Sequence, residues 1–214
     1  MTLSNDALTT IAACEEALGI VAGSENTYLT RLIESASARI KSYCGRTFYR
    51  EDDIVESVSG YGTTKLLVSR TPILDITSIT YDGSTVNSAD YKTLVAESGI
   101  IYNPAGWYWS TSQVQNIARD PFPGAEDPLF EVTYDGGWVT PNQVDLTSFV
   151  TRTLPFDIEQ ACIELVVLKY RGKGRDPNVT AERLLTGSQT YRDGEDLPES
   201  IRSVLDSYKF LGLA

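Results

Sequence analysis

Leu29-Thr30-Arg31-Leu32-Ile33-Glu34-Ser35-Ala36-Ser37-Ala38-Arg39-Ile40-Lys41-Ser42-Tyr43-Cys44-Gly45-Arg46 is the stretch on which the reading of this chain turns. Its apolar residues Leu29, Leu32, Ile33, Ala36, Ile40 and Tyr43 recur at spacings of three and four, the signature of one buried helical face. Gly45 supplies the stop, and Ser24 is the expected N-cap. Working toward the N-terminus, a shorter helix is expected from a cap at Ser4 or Asn5 to about Leu18, with Gly19 ending it. The first fifty residues therefore read as two helices.

Past Arg46 the period changes. From about Ile54, short β-branched and aromatic runs alternate with turn residues. The strand candidates are Lys65–Val68, Ile76–Tyr81, Tyr91–Val95, Ile100–Tyr102 and Leu129–Tyr134. Asp82-Gly83 suits a two-residue hairpin turn whose central residues both need positive φ. Glu97-Ser98-Gly99 points to a second tight reversal. Phe130, Val132 and Tyr134 alternate with Glu131 and Thr133, so one face of that strand is buried and the other wet. Pro72 and Pro104 fall outside these runs, where proline belongs.

Residues 103–128 show little periodicity but hold Trp107, Tyr108 and Trp109. A long irregular segment in a compact domain is usually functional, and aromatics are enriched at contact surfaces. Two readings stand side by side. The three aromatics form a contact with a partner or a neighbouring copy, or they lid the sheet's own core.

Helical pattern returns near Pro155, a residue suited to a first helical turn. Ile158, Ala161, Cys162, Leu165 and Leu168 make its apolar stripe. Lys169, Arg171, Lys173 and Arg175 gather at and beyond its C-terminal end, where cations complement the helix dipole. A last helix is expected from Pro198, with Ile201, Val204, Leu205 and Tyr208 on one face. The expected class is α+β. The N- and C-terminal segments, 1–50 and 151–214, form a small helical bundle, and residues 51–150 form an inserted antiparallel β region.

Composition narrows the possible functions. The 214 residues carry a formal charge of −11, and residues 51–145 hold fourteen Asp/Glu against four Lys/Arg. An acidic middle opposes tight wrapping of DNA, which needs cations to displace phosphate counterions. Facing a DNA channel, such a surface would repel the backbone and leave it mobile. No run approaches the about 18 apolar residues that cross a bilayer. Nor does the start of the chain show a basic region ahead of an apolar block. A cytoplasmic protein is expected, unless it leaves the cell within a larger particle.

The chain has no histidine and only three cysteines, Cys14, Cys44 and Cys162. Their wide spacing gives neither a zinc site nor a disulfide framework. Each lies in an apolar helical context, where a free thiol behaves as a small hydrophobe. The phosphate-loop, dinucleotide, nucleophile-elbow and H-E-x-x-H patterns are all missing. Gly172-Lys173-Gly174-Arg175 has the composition of a phosphate loop, but it follows a helix instead of opening one. Asp193, Glu195 and Asp196 lack calcium-loop spacing. No catalytic, cofactor-binding or metal-binding residue is expected.

Two stretches carry a resemblance. The first is Leu32 to Phe48, ending Cys44-Gly45-Arg46-Thr47-Phe48. The second runs from Leu154-Pro155-Phe156-Asp157-Ile158 to Lys169-Tyr170-Arg171. It continues through Glu182-Arg183-Leu184, Gly187-Ser188, Thr190-Tyr191, Leu197-Pro198 and Ser207-Tyr208-Lys209. Both resemble the head–tail adaptor (head-completion) proteins of tailed bacteriophages. Ser69-Arg70-Thr71-Pro72-Ile73 with Ile76-Thr77-Ser78-Ile79 is similar to the β insertion of larger members.

The resemblance implies a non-enzymatic virion neck protein, made in the host cytoplasm. It implies a ring, usually of twelve copies, that docks on the portal and links it to a tail-side completion protein or the tail. DNA passes through such a ring without specific binding, and no membrane or cofactor is involved. The resemblance also makes Thr186–Ala214 the portal-facing arm, with Tyr191, Leu197, Ile201, Leu205, Tyr208, Phe210 and Leu211 as its contacts. The alternative for the arm is a helix packed on its own subunit. Two other classes stay open: a tail-terminator or other tail protein, and a carboxylate-dependent glycan hydrolase.

Overall fold

In the computed structural model, which describes residues 2–108, 130–144, 151–173, 181–184, 187–190 and 197–209, helix α2 (Asn26–Cys44) is the longest. It buries Leu29, Ile33, Ala36, Ile40 and Cys44 along one side. Leu32 and Tyr43 sit half-buried at the margins of that stripe. Gly45 ends the helix in the left-handed conformation.

The N-terminal boundaries differ from expectation. Helix α1 (Ile11–Leu18) starts at a Thr10 cap, whose hydroxyl accepts from the Ala13 amide at 3.2 Å. Ser4 does not cap it; the Ser4 amide and hydroxyl donate to Glu34 at 2.7 and 2.8 Å. The Ser4 side chain is thereby engaged by Glu34 instead of accepting from the amides of a helix start. Ser24 donates its hydroxyl to the Val21 carbonyl at 2.7 Å, closing the turn before α2 instead of capping it. Glu25 is the N-cap residue and makes no side-chain cap bond.

Helix α3 (Phe156–Arg171) follows Pro155, and α4 (Glu199–Leu205) follows Pro198, so each proline sits one position before its helix. Helix α3 buries Ile158, Ala161, Cys162, Leu165 and Val166. Leu168, expected in that stripe, is 55% exposed. Val166, four residues on from Cys162, takes the inward position instead. Helix α3 packs on α1, α2 and α4.

One compact unit comprises Met1–Arg46 with Val139–Ala214, and the other comprises Thr47–Trp138. These junctions lie at 46/47 and 138/139, each earlier in the chain than the expected 50/51 and 150/151. The reason is local pairing. Trp138 donates its amide to the Phe48 carbonyl and accepts from the Arg50 amide, both at 2.7 Å, tying the entering and leaving strands together. The Phe48 and Trp138 rings stack 5.8 Å apart. Residues 139–144 belong to the helical unit, where the Val139 amide donates to Thr153 Oγ1 at 2.8 Å.

The described residues of the β unit form seven strands. They are β1 (Glu51–Val58), β2 (Lys65–Leu67), β3 (Ile73–Tyr81), β4 (Ser84–Thr85), β5 (Lys92–Val95), β6 (Ile100–Tyr102) and β7 (Phe130–Gly136). They form two antiparallel sheets, ordered β1-β7-β3-β4 and β2-β6-β5. Asp82 and Gly83 both take positive φ, 49° and 71°, and link β3 to β4 as a two-residue turn. Gly99 makes the second reversal, between β5 and β6.

The core of this unit is Leu66, Val68, Ile73, Ile79, Ile101, Trp107, Phe130, Val132 and Tyr134. Strand β1 begins earlier than the sequence pattern suggested. Glu51 pairs with Gly136, and a bulge at Asp53 (φ 54°) resets the register before Ile54. A third, two-stranded sheet pairs β8 (Ala181–Leu184) with β9 (Gly187–Thr190), from Ala181↔Thr190 to Leu184↔Gly187. The fold is α+β, with helices and antiparallel sheets.

Candidate functional site

The resemblance implies portal contacts in the C-terminal segment, and three of the residues it names are buried in the helical unit. Leu197, Ile201 and Leu205 are buried to within 2%. The Leu205 carbonyl accepts from Cys44 Sγ at 3.7 Å. Polar contacts fasten the outer side of the same turn. Tyr208 donates its hydroxyl to the Asp157 carboxylate at 2.8 Å. Burial and the adjacent carboxylate push the Tyr208 phenol up to about 12. Tyr43 donates to Asp206 at 2.7 Å, and Lys209 pairs with Asp206 at 2.8 Å while lying 4.2 Å from the Tyr43 ring.

Leu197, Ile201 and Leu205 therefore give their apolar surface to their own subunit, the packed-helix alternative weighed from sequence. Tyr191, Phe210 and Leu211 lie outside the described residues.

The aromatic triad divides in the same way. Trp107 is 2% exposed, packed edge-on against Phe130 at 5.2 Å, with Nε1 donating to the Ile101 carbonyl at 3.4 Å. It lids the core of the β unit. Tyr108 is 73% exposed and lies 5.7 Å from Tyr81, which in turn stacks on Phe130 at 4.7 Å. Tyr108 is thus the outermost ring of an aromatic column. Trp109 lies outside the described residues.

Buried and half-buried polar groups that the sequence did not flag act as braces. In the helical unit Glu159 pairs with Arg152 and accepts from the Thr9 hydroxyl at 3.2 Å. The Arg152 guanidinium also lies 4.1 Å from the Phe156 ring, which is 78% exposed. In the β unit, Glu56 accepts from the Tyr134 hydroxyl at 2.6 Å and from the Ser69 amide and hydroxyl at 3.0 Å. The same Tyr134 oxygen accepts from the Arg70 amide at 3.0 Å. Burial, then the Glu56 carboxylate, raises the Tyr134 phenol. No sequence motif marks these sets, because their members are far apart in the chain and meet only through packing.

The thiols are held in their protonated form. Burial pushes Cys14 and Cys44 up to about 11 and Cys162 up to about 12. A thiol so desolvated is a poor nucleophile at neutral pH. Among the described residues, no group of three or more Cys, Asp or Glu is placed to hold a metal ion. No described helix is long and apolar enough to cross a membrane.

What the surface offers is contact chemistry. It combines apolar side chains facing outward, acidic strands and well-braced polar corners. One unit is helical at its core and the other is built of antiparallel sheets. The chain belongs to the head completion protein family, whose sequence model matches residues 7–211.

Solved structures carry the same fold. A chain in the virion of a native gene transfer agent particle aligns with a TM-score of 0.55 at 12% identity, covering 100% of this chain and 95% of that one. A chain from the neck of the empty particle, computed with C6 symmetry, gives 0.55 at 13% identity over 100% and 95%. One from the native neck, computed with C12 symmetry, gives 0.54 at 12% over 100% and 94%. No curated protein matches the chain by sequence.

Proposed function

We propose that this chain is a structural adaptor of a phage-type virion neck, forming a ring that docks on the portal and joins head to tail around the DNA channel. Family membership across residues 7–211 carries the reading. The shared fold with chains of necks computed with C6 and C12 symmetry supports a ring, and twelve is the copy number it favours. The helices α1 to α4 favour this role over a tail-terminator, whose wall would be β-structure. Acidic strands suit a channel or an outer face from which DNA is repelled, so passage without specific binding follows.

The portal contact is assigned to the outermost C-terminal residues, Phe210 and Leu211 with Tyr191, and to the exposed side of Tyr208. Leu197, Ile201 and Leu205 act one step removed, by seating α4. A truncation after Lys209 keeps every described residue of α4, so it tests docking without dismantling the core. Copurification with the portal should be lost while the helical circular dichroism signal is kept. Undiminished portal binding by the shortened chain would overturn this assignment.

A further inference from the structure

We propose that the loop between α1 and α2, with Val21 at its tip, seats against the Leu168 side of α3 on the next copy of the ring; this rests on the ring reading above. The loop, residues 19–25, is held more firmly than a plain surface connection requires. Gly19 turns the chain in the left-handed conformation, and the Ile20 amide donates to the Glu15 carbonyl at 3.2 Å. The Gly23 amide donates to the Glu15 carboxylate at 2.6 Å. Ser24 donates its amide and hydroxyl to the Val21 carbonyl at 3.2 and 2.7 Å. Glu15 is only 8% exposed. Withdrawing a carboxylate from water is costly unless charge-assisted hydrogen bonds offset it, and here that carboxylate fixes a loop amide.

The fixed loop presents an apolar tip. Val21 is 79% exposed with exposed Ala22 beside it, and no charged residue falls between Glu16 and Glu25. A tip already held in shape loses little freedom on contact, which favours binding. Its flanks decide the kind of partner. Glu16 is exposed, Glu25 is paired with Lys173 at 2.9 Å, and the tip itself carries no cation. Phosphate backbones need cations, so the occupant is a protein surface.

That surface is assigned to a second copy because α3 carries the matching half. A cyclic contact joins two unlike patches of one subunit. Tyr170 lies 5.9 Å from Tyr28 at the start of α2, the end that carries the loop. At about 100° per residue, Leu168 points roughly 160° away from Tyr170. It is 55% exposed, so its own subunit does not cover it. One turn on, exposed Arg171 offers a cation to Glu16 of the neighbour, while Glu164, one turn back, accepts from Gln160 at 3.3 Å. A loop of this size falls far short of the about 800 Å² per partner of a stable interface. The contact therefore forms where the portal lines copies up, and not between free chains.

A full chain carrying both Val21→Cys and Leu168→Cys, assembled on recombinant portal rings and treated with a mild oxidant, tests the contact. The three native thiols are buried. Non-reducing gels should show a ladder of linked copies on the portal and none from free chains. Either single variant should give no ladder. A bridge closed within one chain, a ladder from Val21→Cys alone, or an equal ladder from Val21→Cys with Phe156→Cys would overturn the proposal. Should the unsubstituted chain build no ring on the portal, the ring reading falls with it. Rings without a ladder overturn this inference alone.

Substitutions supply a second arm. Val21→Asp should keep its thermal transition and lose ring formation; undiminished rings would show that Glu15 merely closes a short connection. Glu16→Arg and Arg171→Glu should each weaken ring formation by about fivefold, and the two together should restore it. Additive losses in the double variant would show that these two residues do not face each other.

Discussion

Tyr134 shows how much a single side chain can hold. It fills the core between β1 and β3, and its hydroxyl joins Glu56 and the Arg70 amide at one corner. Tyr134→Phe keeps the ring but leaves Glu56 and that amide each short of a partner, so a loss of about 1–3 kcal/mol is expected. Urea denaturation of the full chain measures it, and an unchanged midpoint would show the corner to be solvated instead. The cysteines give a pH signature. An unfolded thiol ionises near 9, whereas the folded ones are held at about 11 to 12 by burial. Their contribution to stability is complete below pH 9 and is lost as pH rises from 9 toward 12. Thermal melts at pH 7 and pH 10.5 should differ more in the native chain than in a variant with all three replaced by alanine. At neutral pH the native thiols should stay unlabelled by a thiol reagent until the chain unfolds.

At the scale of elements, α4 is short but its two inward residues, Ile201 and Leu205, are buried against α2 and α3. Replacing either with alanine leaves a cavity and should cost about 2–5 kcal/mol. Val204→Ala, on a half-buried position, should cost clearly less, and equal costs in urea melts would contradict this packing. Most elements were legible because their patterns are strong. The stripe from Leu29 to Ile40, the alternation Phe130-Val132-Tyr134 and the Asp82-Gly83 turn each follow from one local rule.

The elements that escaped had their local signal outbid. The acidic start of β1, Glu51-Asp52-Asp53, has poor strand propensity and is held by pairing with β7 across a bulge. The start of α1 moved because Glu34, thirty residues away, claims Ser4. Of the candidate contacts, Trp107 and the inward face of α4 could be named but not placed. Sequence shows that a side chain is apolar, not whether its own subunit or a neighbour covers it.

For the whole molecule, the entering and leaving strands of the β unit are hydrogen-bonded to each other at Phe48, Arg50 and Trp138. Residues 47–138 therefore form a module inserted at one point. Joining Arg46 to Val139 through a short Gly/Ser linker should leave the helical unit folded, with a cooperative melt by circular dichroism. A molten, non-cooperative product would show that the hub depends on its insertion. Family membership spans residues 7–211, and in the reading proposed above the chain assembles as a ring around the neck channel. Electron microscopy of the full chain bound to purified portal rings tests it most directly. Added density of twelve-fold symmetry, capping the portal and open at its centre, is the expected result. Portal rings left bare, or decorated by scattered single copies without rotational order, would contradict it.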